Sequence, residues 1–366
     1  MQKLTALPGK NNDLALFGAL CLFLSAMDHL IPKPLPFMRI GLANLPLLIA
    51  LNIFPVKKFF QLVFVKVLGQ ALITGTLFSY VLLFSLTGAL LSAVTMLLLY
   101  RSATLVGTSI AGAFVSNAAQ LVLARFIVFG EGILYLAPPF LFAGIVSGGL
   151  LGFFARAFSV QSEWLRIKHG KTALTENYAV LAEAAAGTYA ETAREGINAP
   201  ADSSFAFSFR HIALLLMAAV FLLVSYLPVR AVLFLFFWLL AIAAGKKTRP
   251  VFTIIGLVMI TLCNLFPPFG KILFVPGPIT IAEGSLLLGL QRAVTMQGLI
   301  MFSRLLSAPH LPGKLGALLQ DCFGILDRMN AIFFDGKKKN TSEKMSKGFL
   351  KKLDRLLCEV SGFQVH

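Results

Sequence analysis

Charge is scarce in this sequence. Only 13% of its 366 residues are Asp, Glu, Lys or Arg, against about 25% in an average soluble domain. Several windows reach the roughly 18 uncharged, mostly apolar residues that mark a membrane-crossing helix. Acidic residues are the scarcer sign: 16 stand against 32 basic ones, a net charge of +16. In a soluble protein that excess would point to nucleic acid. Here the bases lie in short segments between apolar blocks, so anionic lipid at the cytoplasmic face is the expected partner and nucleic acid is excluded. The four cysteines, Cys21, Cys263, Cys322 and Cys358, are scattered. No CxxC or Cys/His spacing suggests a metal site or a disulfide framework. The chain has no GxxxxGK[ST] to cradle ATP, no DDxxD to hold Mg²⁺ and a diphosphate, no HExxH and no GxSxG. No catalytic set, metal or cofactor is therefore expected, and the chain reads as a non-enzyme. The polar stretch Met1–Asp13 followed by a long apolar train argues against a cleaved signal peptide.

Apolar residues are abundant, at 57%, and they come in blocks. The blocks predict an all-α polytopic membrane protein. Six segments open the chain, at 13–31, 40–55, 59–79, 80–99, 104–128 and 133–157. Each crosses or nearly crosses a core of about 30 Å at 1.5 Å per residue. The second is short and starts among Pro32, Pro34 and Pro36, which suits a re-entrant loop. Residues 1–157 are thus expected to form a six-helix module that folds on its own.

Residues 158–209 are polar and Ala-rich, predicting a cytoplasmic linker with one exposed helix at 173–194. A second helical membrane domain is expected over 210–335. It has apolar blocks at 210–227, 229–245 and 251–268, a helix at 279–307, and an amphipathic helix at 311–334 suited to an interface or a partner. Residues 336–366 read as a basic cytoplasmic tail. With the N-terminus inside, Lys3, Lys10, Lys57, Lys58, Arg101, Arg156, Arg166 and Lys168 fall in the cytoplasm, and Lys33 and Arg39 outside. That bias predicts both termini in the cytoplasm of a prokaryotic inner membrane.

Polar residues inside apolar helices are costly unless paired or lining a cavity. In QLVFVKVLGQALITGTLFS, Lys66, Gln70 and Thr74 follow one another at i, i+4 and i+8, a single helix face. In GTSIAGAFVSNAAQLVLARF, Ser109, Ser116, Asn117 and Gln120 cluster on one side. Asp28 ends the first segment, and Arg39 and Asn44 follow. The candidate substrate-binding residues are therefore Asp28, Arg39, Asn44, Lys66, Gln70, Thr74, Ser109, Asn117 and Gln120. Two readings stand for Lys66: a ligand contact, or an ion pair with Asp28. Thr74, Asn117 and Gln120 serve equally as helix-packing residues, and Arg125 as a side chain reaching the headgroups.

Three motifs in order carry a family resemblance: the Pro-rich start with a turn at Gly41, Leu42, Ala43 and Asn44; Gly75 to Ser79 (G-T-x-F-S); and a helix with Ser109, Gly112, Asn117 and Gln120. Over about 13–157 the chain resembles the Gx transporter family, also known as heptaprenyl diphosphate synthase component I. That family is similar to the substrate-binding (S) components of energy-coupling-factor (ECF) vitamin transporters. Residues 210–335 resemble an ECF transmembrane coupling component in their run of apolar helices and the turn at 281–284, without its Ala-Arg-Gly signatures. The resemblance implies a transporter subunit that imports a small anionic or polar solute of vitamin or cofactor-precursor type, energised by ATPase subunits in trans. The alternative is a non-transport accessory of isoprenoid or quinone biosynthesis; the missing aspartates speak against the synthase chemistry itself.

Overall fold

The computed structural model describes residues 12–30, 41–165, 209–224, 226–246, 248, 250–275, 281–306, 313–339 and 348–361. Lys33, Arg39 and the helix expected at 173–194 lie outside these residues. The fold is that of an all-α polytopic membrane protein. Among the described residues, three helical stretches are long and apolar enough to cross a membrane: Tyr80–Leu99, Leu105–Gln161 and Glu283–Leu306.

The first six helices are α1 (Asn12–Leu30), α2 (Leu45–Ala50), α3 (Val56–Thr74), α4 (Tyr80–Leu99), α5 (Leu105–Ala124) and α6 (Ile133–Gln161). Over Leu14–Leu24 helix α1 is apolar around its whole circumference, and such a stretch is driven to the centre of a bundle. Ala15, Leu16, Phe17 and every residue from Ala19 to Leu24 are buried. Pro55 opens α3 in an extended conformation that pre-sets the entry, and Gly75 closes it with φ 68, a left-handed cap that a β-carbon would oppose. Thr104 caps α5, its hydroxyl accepting from the Gly107 N–H at 3.2 Å.

The second apolar segment is not one continuous helix: it runs along α1 from Asn44, which shares a cavity with Asp28, to Phe54, whose ring centroid is 5.0 Å from that of Phe17. Its described part is one 3₁₀ turn (Leu42–Asn44) and the six-residue α2, about 9 Å long at 1.5 Å per residue. Every residue of α2 is buried, so the segment is core filling beside α1.

Helix α5 lies between α4 and α6, and small residues set how near the helices come. On α6, Gly144, Gly148 and Gly152 recur at every fourth position. A β-carbon on Gly152 would stand 2.7 Å from the Val106 Cα, and one on Gly148 3.0 Å from the Ile110 Cα. Backbones approaching this closely gain packing that lipid cannot supply.

The second half comprises α7 (Phe209–Leu223), α8 (Leu227–Ala243), α9 (Pro250–Asn264) and α10 (Glu283–Leu306), with a short antiparallel hairpin between α9 and α10, β1 (Ile272–Phe274) and β2 (Ile281–Ala282). Sequence periodicity did not suggest the hairpin. Helix α10 packs against α7, α8 and α9, and Phe221, Phe237 and Phe302 form its core, with ring centroids at 5.7 and 6.1 Å. The halves touch where the Phe78 N–H donates to the Ser303 hydroxyl at 2.8 Å. Val128, Ile260, Ala293 and Met296 share a further apolar cluster there.

The last two described helices are α11 (Gly313–Lys339) and α12 (Gly348–Ser361). The amphipathic pattern of 311–334 is explained by α1. Leu319, Cys322, Ile325, Leu326 and Met329 are buried in the same cluster as Phe17, Leu20 and Leu24. Burying such a side chain is worth about 1.5–3 kcal/mol each, enough to seat the helix on its own chain. Gly18 makes room for it, since a β-carbon there would lie 2.6 Å from the Cys322 Sγ. Helix α12 folds back on the end of α6. The Asp354 carboxylate accepts from the Ser162 hydroxyl, from the Glu163 N–H at 3.0 Å and from the Trp164 N–H at 3.2 Å, and the Trp164 Nε1–H donates to the Ser361 hydroxyl at 2.8 Å. The expected boundary at 335 falls inside α11. Side chains of α11 and α12 share the core cluster of the first six helices.

Candidate functional site

Polar side chains from α1, α3, α4, α5 and α6 converge on one cavity of about 100 Å³. A water needs roughly 10–15 Å³ of such space, so several waters or one small solute fit. Sites for drug-sized ligands run to about 300–1,000 Å³, which makes this a site for something smaller.

The entry turn builds one wall. Gly41 has φ 83, a conformation open to glycine at no steric cost. Its carbonyl accepts from the Asn44 N–H at 2.8 Å. This turn aims the Asn44 side chain inward, where its Oδ1 accepts a hydrogen bond from the Lys66 Nζ. Lys66, 9% exposed, and Asp28, 4% exposed, both line the cavity. An ammonium and a carboxylate thus face one small polar volume in an otherwise apolar bundle.

The opposite wall comes from α5 and α6. The Ser109 hydroxyl donates to the Gly148 carbonyl at 2.7 Å, the Asn117 Nδ2 to the Phe140 carbonyl at 3.1 Å, and the Gln120 Nε2 to the Ser116 hydroxyl at 3.1 Å. Ser109 and Asn117 tie α5 to α6, Gln120 bonds within α5, and all three line the cavity. Gly144 admits Asn117, whose Nδ2 would stand 2.3 Å from an added β-carbon, and Gly88 admits Gln120, at 2.7 Å.

Of the residues singled out in the sequence, Asp28, Asn44, Lys66, Gln70, Ser109, Asn117 and Gln120 line the cavity together. Thr74 does not. Each i, i+4 step overshoots a helical turn by about 40°, so by the second step Thr74 has rotated about 80° from Lys66. Its hydroxyl donates back to the Gln70 carbonyl at 2.8 Å and pairs with the Thr76 hydroxyl at 2.8 Å. Arg39 lies outside the described residues. Arg125 is elsewhere, ion-paired with Glu131 at 2.8 Å. The sequence reasoning passed over Ser25, Ser85, Ser92 and Ser147, which also line the cavity. Ser85 and Ser92 sit seven residues apart on α4, two turns, a spacing that could have revealed them. Among the described residues no group of three or more His, Cys, Asp or Glu could hold a metal ion.

Residues 17–158 match the family model of heptaprenyl diphosphate synthase component I, and residues 206–307 match that of a domain of unknown function. No curated protein and no solved structure matches the chain.

Proposed function

We propose that the chain is a subunit of a membrane transporter, and that a small polar or anionic solute binds in the cavity among α1, α3, α4, α5 and α6 for import. The observation that carries this reading is the cavity itself. Hydrocarbon surroundings make every unpaired polar group expensive, yet a lysine, an aspartate, four side-chain amides and six serines face a space of about 100 Å³. The described lining holds one acid and one base, so charge pairs with a solute's charged group while the amides and hydroxyls orient it. The matched family supports the reading through its resemblance to S components.

The remaining parts of the proposal follow from the loops. Both termini face the cytoplasm of a prokaryotic inner membrane, and the basic C-terminal residues meet anionic lipid there. Energy comes from separate ATPase subunits, with the second half as the coupling part. The chain itself performs no catalysis.

The name of the matched family favours a second reading, a membrane accessory of heptaprenyl diphosphate synthesis. Co-purification separates the two. Gentle solubilisation followed by mass spectrometry should find a small polar molecule held by the protein and ATPase subunits beside it. A soluble prenyl synthase in their place, with no retained small molecule, would establish the accessory reading instead.

A further inference from the structure

A second cavity lies between the halves, at the end of the bundle where α5 passes into α6 and α9 into the hairpin. It measures about 460 Å³, within the roughly 300–1,000 Å³ of organic-ligand sites. Its polar wall holds Arg125, Glu131, Asn264 and Arg292, and its apolar wall includes Phe126 and Phe269.

Both guanidiniums are held in place. Arg125 gives its Nε, at 3.1 Å, and its Nη2, at 2.8 Å, to one carboxylate oxygen of Glu131. Arg292 gives its Nη1 to the Asn264 Oδ1 at 2.7 Å. Asn264 is itself fixed, its Nδ2 donating to the Val128 carbonyl at 3.0 Å and to the Ile260 carbonyl at 2.8 Å. The acceptor on Arg292 is thus neutral, and the wall carries two positive charges against one negative.

The backbone is specialised at the same place. Residues Arg125–Phe129 form a π-helical turn, a feature that recurs at functional sites. It ends at Gly130, φ 59, where a β-carbon would lie 2.9 Å from the Arg292 Nη1. Bare glycine backbone leaves that guanidinium its place. Beside the charges, Phe126 is 74% exposed and Phe269 50%, an apolar surface that continues from the cavity onto the outside of the bundle.

We propose that this cavity binds the phosphate headgroup of an anionic membrane lipid, with Arg292 and Arg125 on the phosphate and the acyl chain along Phe126 and Phe269. Guanidiniums match phosphate oxygens in a planar, multidentate way. A free phosphate would use the arginines but leave the phenylalanines idle, so the combined wall selects an amphiphile. The bound lipid bridges the two halves at their seam.

The test uses the full-length protein, delipidated in detergent and titrated under native mass spectrometry. The probes are phosphatidylglycerol, phosphatidylcholine and inorganic phosphate. The expected result is at least fivefold tighter binding of phosphatidylglycerol than of phosphatidylcholine, with no competition by equimolar inorganic phosphate. Arg292→Gln should weaken phosphatidylglycerol binding about tenfold. If that variant misfolds, Arg125→Gln and Phe126→Ala alter side chains at the exposed rim and should each weaken it severalfold in a protein of unchanged helicity. Equal affinity for the two lipids, undiminished phosphatidylglycerol binding in the well-folded variants, or phosphate binding as tightly as lipid would each overturn the proposal.

Discussion

A lysine at the centre of a membrane helix costs about 2.5–3.5 kcal/mol on insertion scales, so the groups around Lys66 carry its tolerance. Asn44 supplies an acceptor from a turn that only a residue like Gly41 forms easily. Removing that acceptor leaves the ammonium less well satisfied while the charge persists, a loss of about 1–3 kcal/mol. Asn44→Ala should therefore lower the thermal stability of the detergent-solubilised protein. In Asn44→Ala/Lys66→Met the need for the acceptor has gone, so the double variant should be destabilised by less than the sum of the single changes. Strictly additive melting shifts would show that the contact carries no coupling. The sequence made Lys66 legible, because a charge deep in an apolar run is conspicuous. It did not make Thr74 legible as an outsider, because i, i+4, i+8 spacing reads as a straight stripe while the helix drifts beneath it.

At the scale of elements, glycine spacing and capping decide which helices touch. Gly152 faces the Val106 backbone across the α5–α6 seam, and neither backbone can step aside. Gly152→Ala should cost about 1–3 kcal/mol and lower the melting temperature, whereas Gly149→Ala should change little because its neighbours are side-chain ends at 3.8 and 3.9 Å. Equal effects from both would contradict the seam. The docking of α12 is open to a chemical test. Burial, aided by the acidic groups Asp354, Glu163 and Glu359, pushes the Cys358 thiol from its ordinary 9.0 up to about 11. The raised value means the protonated thiol favours the docked state. That contribution is complete below pH 9 and is lost as the pH climbs through 11. At pH 8 Cys358 should resist a maleimide in the folded protein, and Asp354→Ala, which removes three accepted hydrogen bonds, should make it react. Fast labelling of the unaltered chain at pH 8 would refute the docked position. The apolar stripe of α11 was plain in the sequence, yet amphipathicity says only that a helix has a face to cover. What covers it, α1 of the same chain, depends on a contact some three hundred residues away in sequence, which no local pattern encodes.

For the whole molecule, the proposed orientation rests on loop charge. In that orientation the α4–α5 loop, which carries Arg101, faces the cytoplasm and the α9–α10 connection faces outward. In a background without reactive native cysteines, Lys271→Cys should label with a membrane-impermeant reagent in intact cells, and Ser102→Cys should not. Both positions are exposed, so the reverse pattern would invert the topology. The helix order and the membrane class were legible from apolar run length alone. The seam between the halves was not, since the hairpin and the π turn at Arg125 interrupt the periodicities from which helices are read.

Binding of a solute in the cavity around Lys66 is directly measurable. The solute retained by the gently purified protein, once identified by mass spectrometry, is titrated calorimetrically into the unaltered protein and into Lys66→Met. The substitution roughly keeps the shape of the side chain and removes its charge. The variant should be folded and monodisperse, with an affinity lower by at least tenfold, about 1.4 kcal/mol. Unchanged affinity in a well-folded Lys66→Met protein would contradict binding in that cavity.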